Sequence, residues 1–161
     1  MTDSPAFSEA STLEAPVATN YVTVAIPYVN ADPHLGYAYE LILADVHARA
    51  SRLEGTATRF LGGTDDYSLK NVLAAEDAGV AVRTFVDAHA RRFEGLRDPL
   101  GLSFDDFIRT SADPRHVPAV QRLWAAAALN EDLYKQPYTG DYCVGCERFY
   151  TRDELDDGRC P

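Results

Sequence analysis

The sequence lacks any long apolar segment: nowhere in its 161 residues is there a run of the roughly 20 apolar residues that a membrane-spanning helix needs. Its start, MTDSPAFSEASTLEAPVATN, also lacks the basic residues and the apolar core of a secretory signal. Richness in Ser, Thr, Ala and acidic residues is instead typical of a mobile terminal segment. We therefore expect a disordered leader over residues 1–20, no membrane partner, and a cytoplasmic location.

Basic residues are scarce. Lys and Arg number 15 against 25 Asp and Glu, which gives a formal net charge of −10 at pH 7. Binding of nucleic acid depends on a basic stripe that contacts phosphates. The composition therefore argues against a nucleic-acid-binding surface on these residues alone, and any polynucleotide has to be held mainly by other regions.

Cysteine is also rare, and its distribution is informative. All three cysteines lie between positions 143 and 160, whereas a disulfide scaffold would spread them along the chain. Cys143 and Cys146 have the spacing of the tight half of a tetrahedral zinc site, and Cys160 is a plausible third ligand. Structural zinc takes four ligands. The alternatives are a structural zinc site that is incomplete within these residues, and three reduced thiols without metal.

Apolar residues are plentiful enough for a core, at 46% hydrophobic and 11% aromatic. The length suggests one domain with a small appendage. Strand–helix–strand order favours an α/β fold with a parallel sheet. Apolar spacing and turn signals predict these elements: strands over residues 21–26 and 58–62, and helices over 35–53, from 64–66 to about 78, 82–97 and 114–130.

The apolar patterns also predict which helix faces are buried. The pattern over 35–53 is broad and indicates a well-buried helix. Beyond residue 130 the sequence has a Thr139-Gly140 turn between β-prone stretches, followed by the cysteines. We expect a main domain over 21–131 and a small insertion over 132–161. On the 114–130 helix the residues expected to face inward are Val117, Val120, Leu123, Trp124 and Ala127.

One junction carries a candidate site: AIPYVNADPHLGYAYE, residues 25–40, passes from the first strand into the first helix. A helix N-terminus after a parallel strand attracts anions through its free N–H groups and its dipole. His34 could contact a phosphate, Gly36 could admit a flat base, and Tyr37 could donate a hydrogen bond. Taken alone this H-x-G-Y pattern is weak, and the alternative is a histidine that fills a turn beside a glycine needed for packing.

Four stretches together resemble a known family. PYVNADPHLGYAYE, FLGGTDDYS, GLSFDDFIRTS and YCVGCERFYTRDELDDGRCP occur in that order and resemble the N-terminal catalytic part of methionyl-tRNA synthetases, over residues 21–161. The resemblance implies a Rossmann-like nucleotide-binding domain followed by the start of a zinc-knuckle insertion. It also implies activation of methionine, or a related amino acid, by ATP with Mg²⁺, and transfer to tRNA in the complete enzyme.

The resemblance implies roles for individual residues. Ile26 and Tyr28 would line the amino-acid pocket, and Asp65 would bind the α-ammonium group; the alternative for Asp65 is a helix N-cap. The cysteines would hold structural zinc, together with a further Cys or His after the third. ATP would contact His34, Gly36 and Tyr37, with His34 and Tyr37 as the catalytic residues.

The sequence departs from the family at two positions. Tyr37 and Tyr67 stand where the family has histidines, and a neutral phenol replaces a group that can carry positive charge. Losing one such contact costs roughly 2–4 kcal/mol of transition-state stabilisation. The later K-M-S-K-S loop does not occur in these residues. We therefore expect little or no aminoacylation by this chain alone, with tRNA bound through regions absent from it.

Two alternatives to a synthetase remain open at this point. One is a tRNA-independent paralogue that activates an amino acid for small-molecule biosynthesis, which would suit the two His-to-Tyr differences. The other is a non-catalytic binding or regulatory remnant. Methionine specificity would support the synthetase, and specificity for another amino acid would support the paralogue. Binding of neither ATP nor an amino acid would support the remnant.

Overall fold

A three-stranded parallel sheet organises the computed structural model, which describes residues 19–161. The strands lie side by side in the order in which they occur in the chain. Tyr21 of the first strand lies opposite Arg59, and Gly62 of the second lies opposite Phe107. The predicted α/β class with a parallel sheet is therefore confirmed. The strand bounds are β1 Thr19–Thr23, β2 Ala57–Thr64 and β3 Asp106–Arg109.

The strand boundaries differ from those expected. β1 begins and ends earlier than the predicted 21–26, and β2 extends beyond the predicted 58–62 on both sides. Of the predicted leader, residues 1–18 lie outside the described residues, whereas Thr19 and Asn20 belong to β1. No strand was expected over 106–109. β3 is four residues long and half-buried throughout, so it carries no apolar alternation that would announce a strand.

The first helix lies between the first two strands in the chain, and the second and third helices lie between the second and third strands. The long first helix has the predicted bounds. The second helix starts later than expected: Thr64 still belongs to β2, and the Ser68 side chain accepts a hydrogen bond from the Lys70 backbone N–H at 3.1 Å, as an N-cap does. The bounds are α1 Leu35–Leu53, α2 Leu69–Asp77 and α3 Val82–Glu94.

The core lies between the sheet and the α1 and α3 helices. It also includes apolar residues of the loop before β3. A buried polar contact holds that loop to α1, because Asp45 accepts hydrogen bonds from the backbone N–H and the hydroxyl of Ser103, both at 2.6 Å. Central members of the core are Val29, Tyr37, Leu41, Phe60, Phe93, Leu102 and Phe104.

Two predictions of burial were wrong. Leu35, Val46 and Leu53 of α1 are exposed, so the buried face of this helix is narrower than its apolar pattern. The fourth helix, α4 (His116–Leu129), contains no buried residue within the described part of the chain. Leu123 and Trp124, expected to face inward, are 73% and 66% exposed, and Val117 and Val120 are also exposed. Helical spacing defines a face but does not supply the surface that covers it.

The last described residues form a small cysteine-bearing unit, which we call the knuckle (residues 139–161). Two antiparallel strands, β4 Asp141–Cys143 and β5 Arg148–Tyr150, form the β region. The turn between them covers residues 144–147, so the predicted position of the turn at Thr139-Gly140 was wrong. A short 3₁₀ helix, Arg152–Glu154, follows. Among residues 19–161, no helix is both long enough and apolar enough to span a bilayer.

Candidate active site

The predicted amino-acid-pocket residues meet at the carboxyl end of β2. Tyr28 forms an isolated parallel bridge with Asp65, and the Asp65 backbone N–H donates to the Pro27 carbonyl at 2.9 Å. Ile26 is adjacent, because its Cγ2 would lie 3.2 Å from a Cβ added at Gly63. The structure thus brings Ile26, Tyr28 and Asp65 together around one strand end, where open α/β sheets bind ligands.

Asp65 belongs to a tight turn and does not cap a helix. Its Oδ1 accepts a hydrogen bond from the Tyr67 backbone N–H at 3.0 Å, which closes the turn after β2. The N-cap of α2 is Ser68. The alternative role of Asp65 as the helix N-cap is therefore wrong, and its half-buried carboxylate remains available for a ligand cation.

The neighbouring residue, Asp66, anchors this turn to β3. Its buried carboxylate accepts hydrogen bonds from Ser111 Oγ at 2.6 Å, Thr64 Oγ1 at 2.8 Å and Arg109 Nη2 at 3.2 Å. Its backbone N–H donates to Thr110 Oγ1 at 2.8 Å. This network was not predicted from the sequence, although the consecutive polar residues Arg109-Thr110-Ser111 were a signal that could have shown it.

Asn71 supports the same turn from α2. Its side chain is fully buried, and its Nδ2 donates to the carbonyl oxygens of Asp65 at 3.3 Å and of Asp66 at 3.1 Å. A buried amide with two N–H donors matches the carbonyls of two adjacent residues. Asn71 therefore fixes the backbone on which the Asp65 side chain stands.

His34 is the N-cap of α1. It has extended backbone angles, and its Nδ1 accepts a hydrogen bond from the Tyr37 backbone N–H at 3.2 Å. Because Nδ1 accepts, the neutral ring carries its proton on Nε2, which makes Nε2 a donor. A Cβ at Gly36 would lie 3.0 Å from both Cε1 and Nδ1 of His34. A side chain at position 36 would therefore press on the capping histidine ring.

Tyr37 lies in the core beneath this junction. Its side chain is 5% exposed, its ring centroid lies 5.3 Å from that of Phe93, and its hydroxyl donates weakly to the Gly63 carbonyl at 3.5 Å. Burial, and then the charge of Glu40, raises its pKa well above the ordinary value. The phenol is therefore neutral at physiological pH. Tyr67, the other tyrosine at a family histidine position, is exposed.

The three cysteine sulfurs of the knuckle lie within 4.8 Å of one another. Tetrahedral zinc, with Zn–S bonds of about 2.3 Å, needs sulfurs about 3.8 Å apart. The Cys143 and Cys160 sulfurs are 3.4 Å apart, and the Cys146 N–H donates to Cys143 Sγ at 3.5 Å. This backbone donor is the main cause that lowers the pKa of Cys143 to about 7, whereas the neighbouring thiols raise the pKa of Cys160 to about 11. The group fits a thiophilic cation.

Comparison with known proteins places this geometry in context. A family model described as tRNA synthetases class I (M) matches residues 20–161. The methionine–tRNA ligase of Brucella suis biovar 1 is 41% identical over 136 residues, which cover 84% of this chain and 26% of that protein. The enzyme of the same name from Mycobacterium leprae is 43% identical over 141 residues, 86% of this chain and 26% of that protein.

A solved structure gives the same result in three dimensions. Mycobacterium tuberculosis methionyl-tRNA synthetase in complex with methionyl-adenylate matches with a TM-score of 0.80 at 42% identity, over 88% of this chain and 28% of that protein. The parallel sheet is thus that of a synthetase nucleotide-binding domain. The chain spans about a quarter of the length of the Brucella and Mycobacterium leprae ligases.

Proposed function

We propose, for a chain that belongs to the family of class I tRNA synthetases of the M type, that it supplies an amino-acid-activating site of a methionine–tRNA ligase. In the reaction, a carboxylate oxygen of methionine attacks the α-phosphorus of ATP. The new O–P bond replaces the α–β phosphoanhydride bond, pyrophosphate leaves, and methionyl-adenylate remains. A tRNA hydroxyl then attacks the methionyl carbonyl carbon, the new ester bond replaces the bond to the adenylate, and AMP leaves. The enzyme works in the cytoplasm.

The observation that carries this proposal is the pairing of Tyr28 with Asp65 at the carboxyl end of β2. The Asp65 carboxylate would bind the α-ammonium group through a charge-assisted hydrogen bond. The exposed side chain of Ile26 and the half-buried ring of Tyr28 would contact the apolar side chain of the substrate. One charged contact and several apolar contacts suit methionine, which has a charged α-ammonium group at one end and an apolar side chain at the other.

ATP, as its Mg²⁺ complex, would bind at the N-terminus of α1. His34 offers Nε2–H as a donor, and the first-turn N–H groups and the helix dipole favour phosphate. Gly36 keeps the helix surface open to the base. For Tyr37, burial supports a contribution through packing, because a direct contact of its hydroxyl with ATP requires the ring to leave Phe93.

The knuckle would bind one structural Zn²⁺ through Cys143, Cys146 and Cys160. The metal would hold the two short strands together, because binding of structural zinc contributes to the folding free energy of small units. It would take no part in the reaction. We expect one zinc ion per chain and protection of all three thiols from alkylation. Loss of stoichiometric zinc in Cys160→Ser would agree with this ligand set, and an unchanged zinc content would contradict it.

Titration calorimetry of the chain with methionine tests the amino-acid site. Asp65→Asn should weaken binding of methionine by about tenfold or more, because the ammonium group loses its charged partner. Asp98→Asn, a change at an exposed residue, is the matched control. Methionine-dependent exchange of pyrophosphate into ATP tests activation. A preference for another amino acid would indicate a biosynthetic paralogue. Binding of neither ATP nor an amino acid would indicate a non-catalytic regulatory protein.

A further inference from the structure

Glu147 connects the knuckle to the main domain. It follows Cys146 directly, and its Oε2 lies 3.3 Å from Nζ of Lys70 on α2. Its backbone has a φ of +54°, in the left-handed region that non-glycine residues rarely adopt. Such a conformation persists only where its surroundings hold it. The ion pair therefore depends on the local fold around Cys146.

Lys70 carries the connection to the amino-acid pocket. Its Nζ lies 5.7 Å from the centroid of the Tyr28 ring, within cation–π range. Its backbone is fixed in the first turn of α2 by the hydrogen bond from its N–H to Ser68 Oγ. The side chains of Lys70 and Glu147 are 32% and 30% exposed, so solvent screens this pair less than a fully exposed one.

Three charged side chains therefore lie close to the Tyr28 ring. Asp65 pairs with it through the backbone bridge, Lys70 lies over it, and Glu147, the ion-pair partner of Lys70, also interacts with it directly. Burial, followed by the Glu147 carboxylate and then Asp65, raises the pKa of Tyr28, while Lys70 opposes them. A change at Glu147 consequently alters the electrostatic and steric surroundings of a pocket residue from outside the pocket.

We propose that Glu147 is a positioning residue for the amino-acid pocket, which acts on the Tyr28 ring directly and through Lys70 and makes that ring sensitive to metal binding in the knuckle. Ligation of Cys146 would hold the next residue in its left-handed conformation. Without metal, Glu147 would relax toward ordinary backbone angles, and Lys70 would lose its partner. The part that concerns the pocket rests on the proposed function, whereas the link between metal and the Tyr28 ring does not.

Tyrosine ring resonances of the isotopically labelled 161-residue chain test the link directly. In the zinc-loaded chain, a chelator should shift the Tyr28 resonances, which Tyr28→Phe identifies by their disappearance. In Glu147→Gln and in Lys70→Met, the Tyr28 resonances should already be displaced before chelation. Removing zinc from these variants should then move them less than half as far as in the wild type. Asp141→Asn, an acidic knuckle residue on the exposed side of β4, is the matched control and should respond like the wild type.

Methionine affinity gives a second measurement. Glu147→Gln and Lys70→Met should each weaken binding about twofold to fivefold, which corresponds to the loss of a partly exposed ion pair. The double variant should lose less affinity than the sum of the two single losses, because both changes break the same ion pair.

Two results would overturn the proposal: Tyr28 resonances that do not respond to the chelator in the wild type, or a full response that persists in both variants. Should either variant fail to fold, the other still decides. If no variant and no wild-type chain binds methionine while Tyr28 still responds to zinc, the proposed function fails and the link stands.

Discussion

The hydroxyl of Tyr37 lies 3.5 Å from the carbonyl oxygen of Gly63, and this contact joins the first turn of α1 to the end of β2. Both residues are buried. A residue that departs from the family pattern is therefore part of the core at the base of the candidate site. Its size and apolarity, more than its hydroxyl, fit the space against Phe93.

Restoring the family histidine at this position should therefore destabilise the chain. Tyr37→His removes ring contacts with Phe93 and places an imidazole in the core, for an expected loss of about 1–3 kcal/mol in the free energy of unfolding. Tyr37→Phe keeps the ring and loses only a long hydrogen bond, so we expect less than about 1 kcal/mol. Urea denaturation measures both. Equal stability of the histidine variant and the wild type would show that the ring is not packed as described.

His34 and Gly36 should be coupled in a double-mutant cycle. His34→Ala removes the N-cap and should cost about 0.5–2 kcal/mol. Gly36→Ala should destabilise the wild type, because the new Cβ meets the His34 ring at 3.0 Å. In the His34→Ala background the same change should be stabilising by up to about 1 kcal/mol, since alanine has the better helix propensity. Additive effects in urea denaturation would contradict the contact.

Asp45 should make stability depend on pH in the acid range. Burial alone raises its pKa, but hydrogen bonds from Ser103 and Arg49 outweigh burial and leave the pKa below its ordinary value. The stabilisation is therefore present above the unfolded pKa of about 3.9 and is lost as the pH falls through the lower folded value. Asp45→Asn should cost about 1–3 kcal/mol at pH 7.

The pH dependence of that difference is the decisive measurement. The gap between the wild type and Asp45→Asn should narrow as urea denaturation is repeated from pH 5 to pH 2, because the protonated carboxyl resembles the amide. Asp98→Asn, at an exposed position, controls for the general effect of removing one acid. A gap that stays constant across this range would rule out the charged form of Asp45 as the stabilising species.

The sequence predicted features that depend on neighbouring residues better than features that depend on tertiary contacts. α1 was placed correctly because its apolar spacing is a local signal, and the cysteine cluster followed from spacing alone. β3 was missed because its pairing with β2 is parallel and non-local, and its residues are all half-buried. The inward face of α4 was wrong because periodicity does not reveal what covers a face. The contacts of Asp66 and Asn71 depend on residues brought together only by folding.

Asn71 shows how much depends on such contacts. Asn71→Ala should cost about 2–4 kcal/mol, because two carbonyls lose a buried donor and a cavity forms. Asn71→Asp keeps the volume but turns an acceptor toward the carbonyls of Asp65 and Asp66, so it should be at least as destabilising. Asn130→Asp, at an exposed helix end, is the control and should change stability by less than about 1 kcal/mol.

Substrate affinity separates a role in positioning from a role in stability alone. Because Asn71 holds the backbone of Asp65, its loss should weaken methionine binding even at temperatures where the variant is fully folded by circular dichroism. Calorimetric titration of folded Asn71→Ala should give an affinity several-fold lower than that of the wild type. An unchanged affinity, together with lower stability, would mean that the turn keeps its conformation without the amide and that Asp65 is held by the Asp66 network instead.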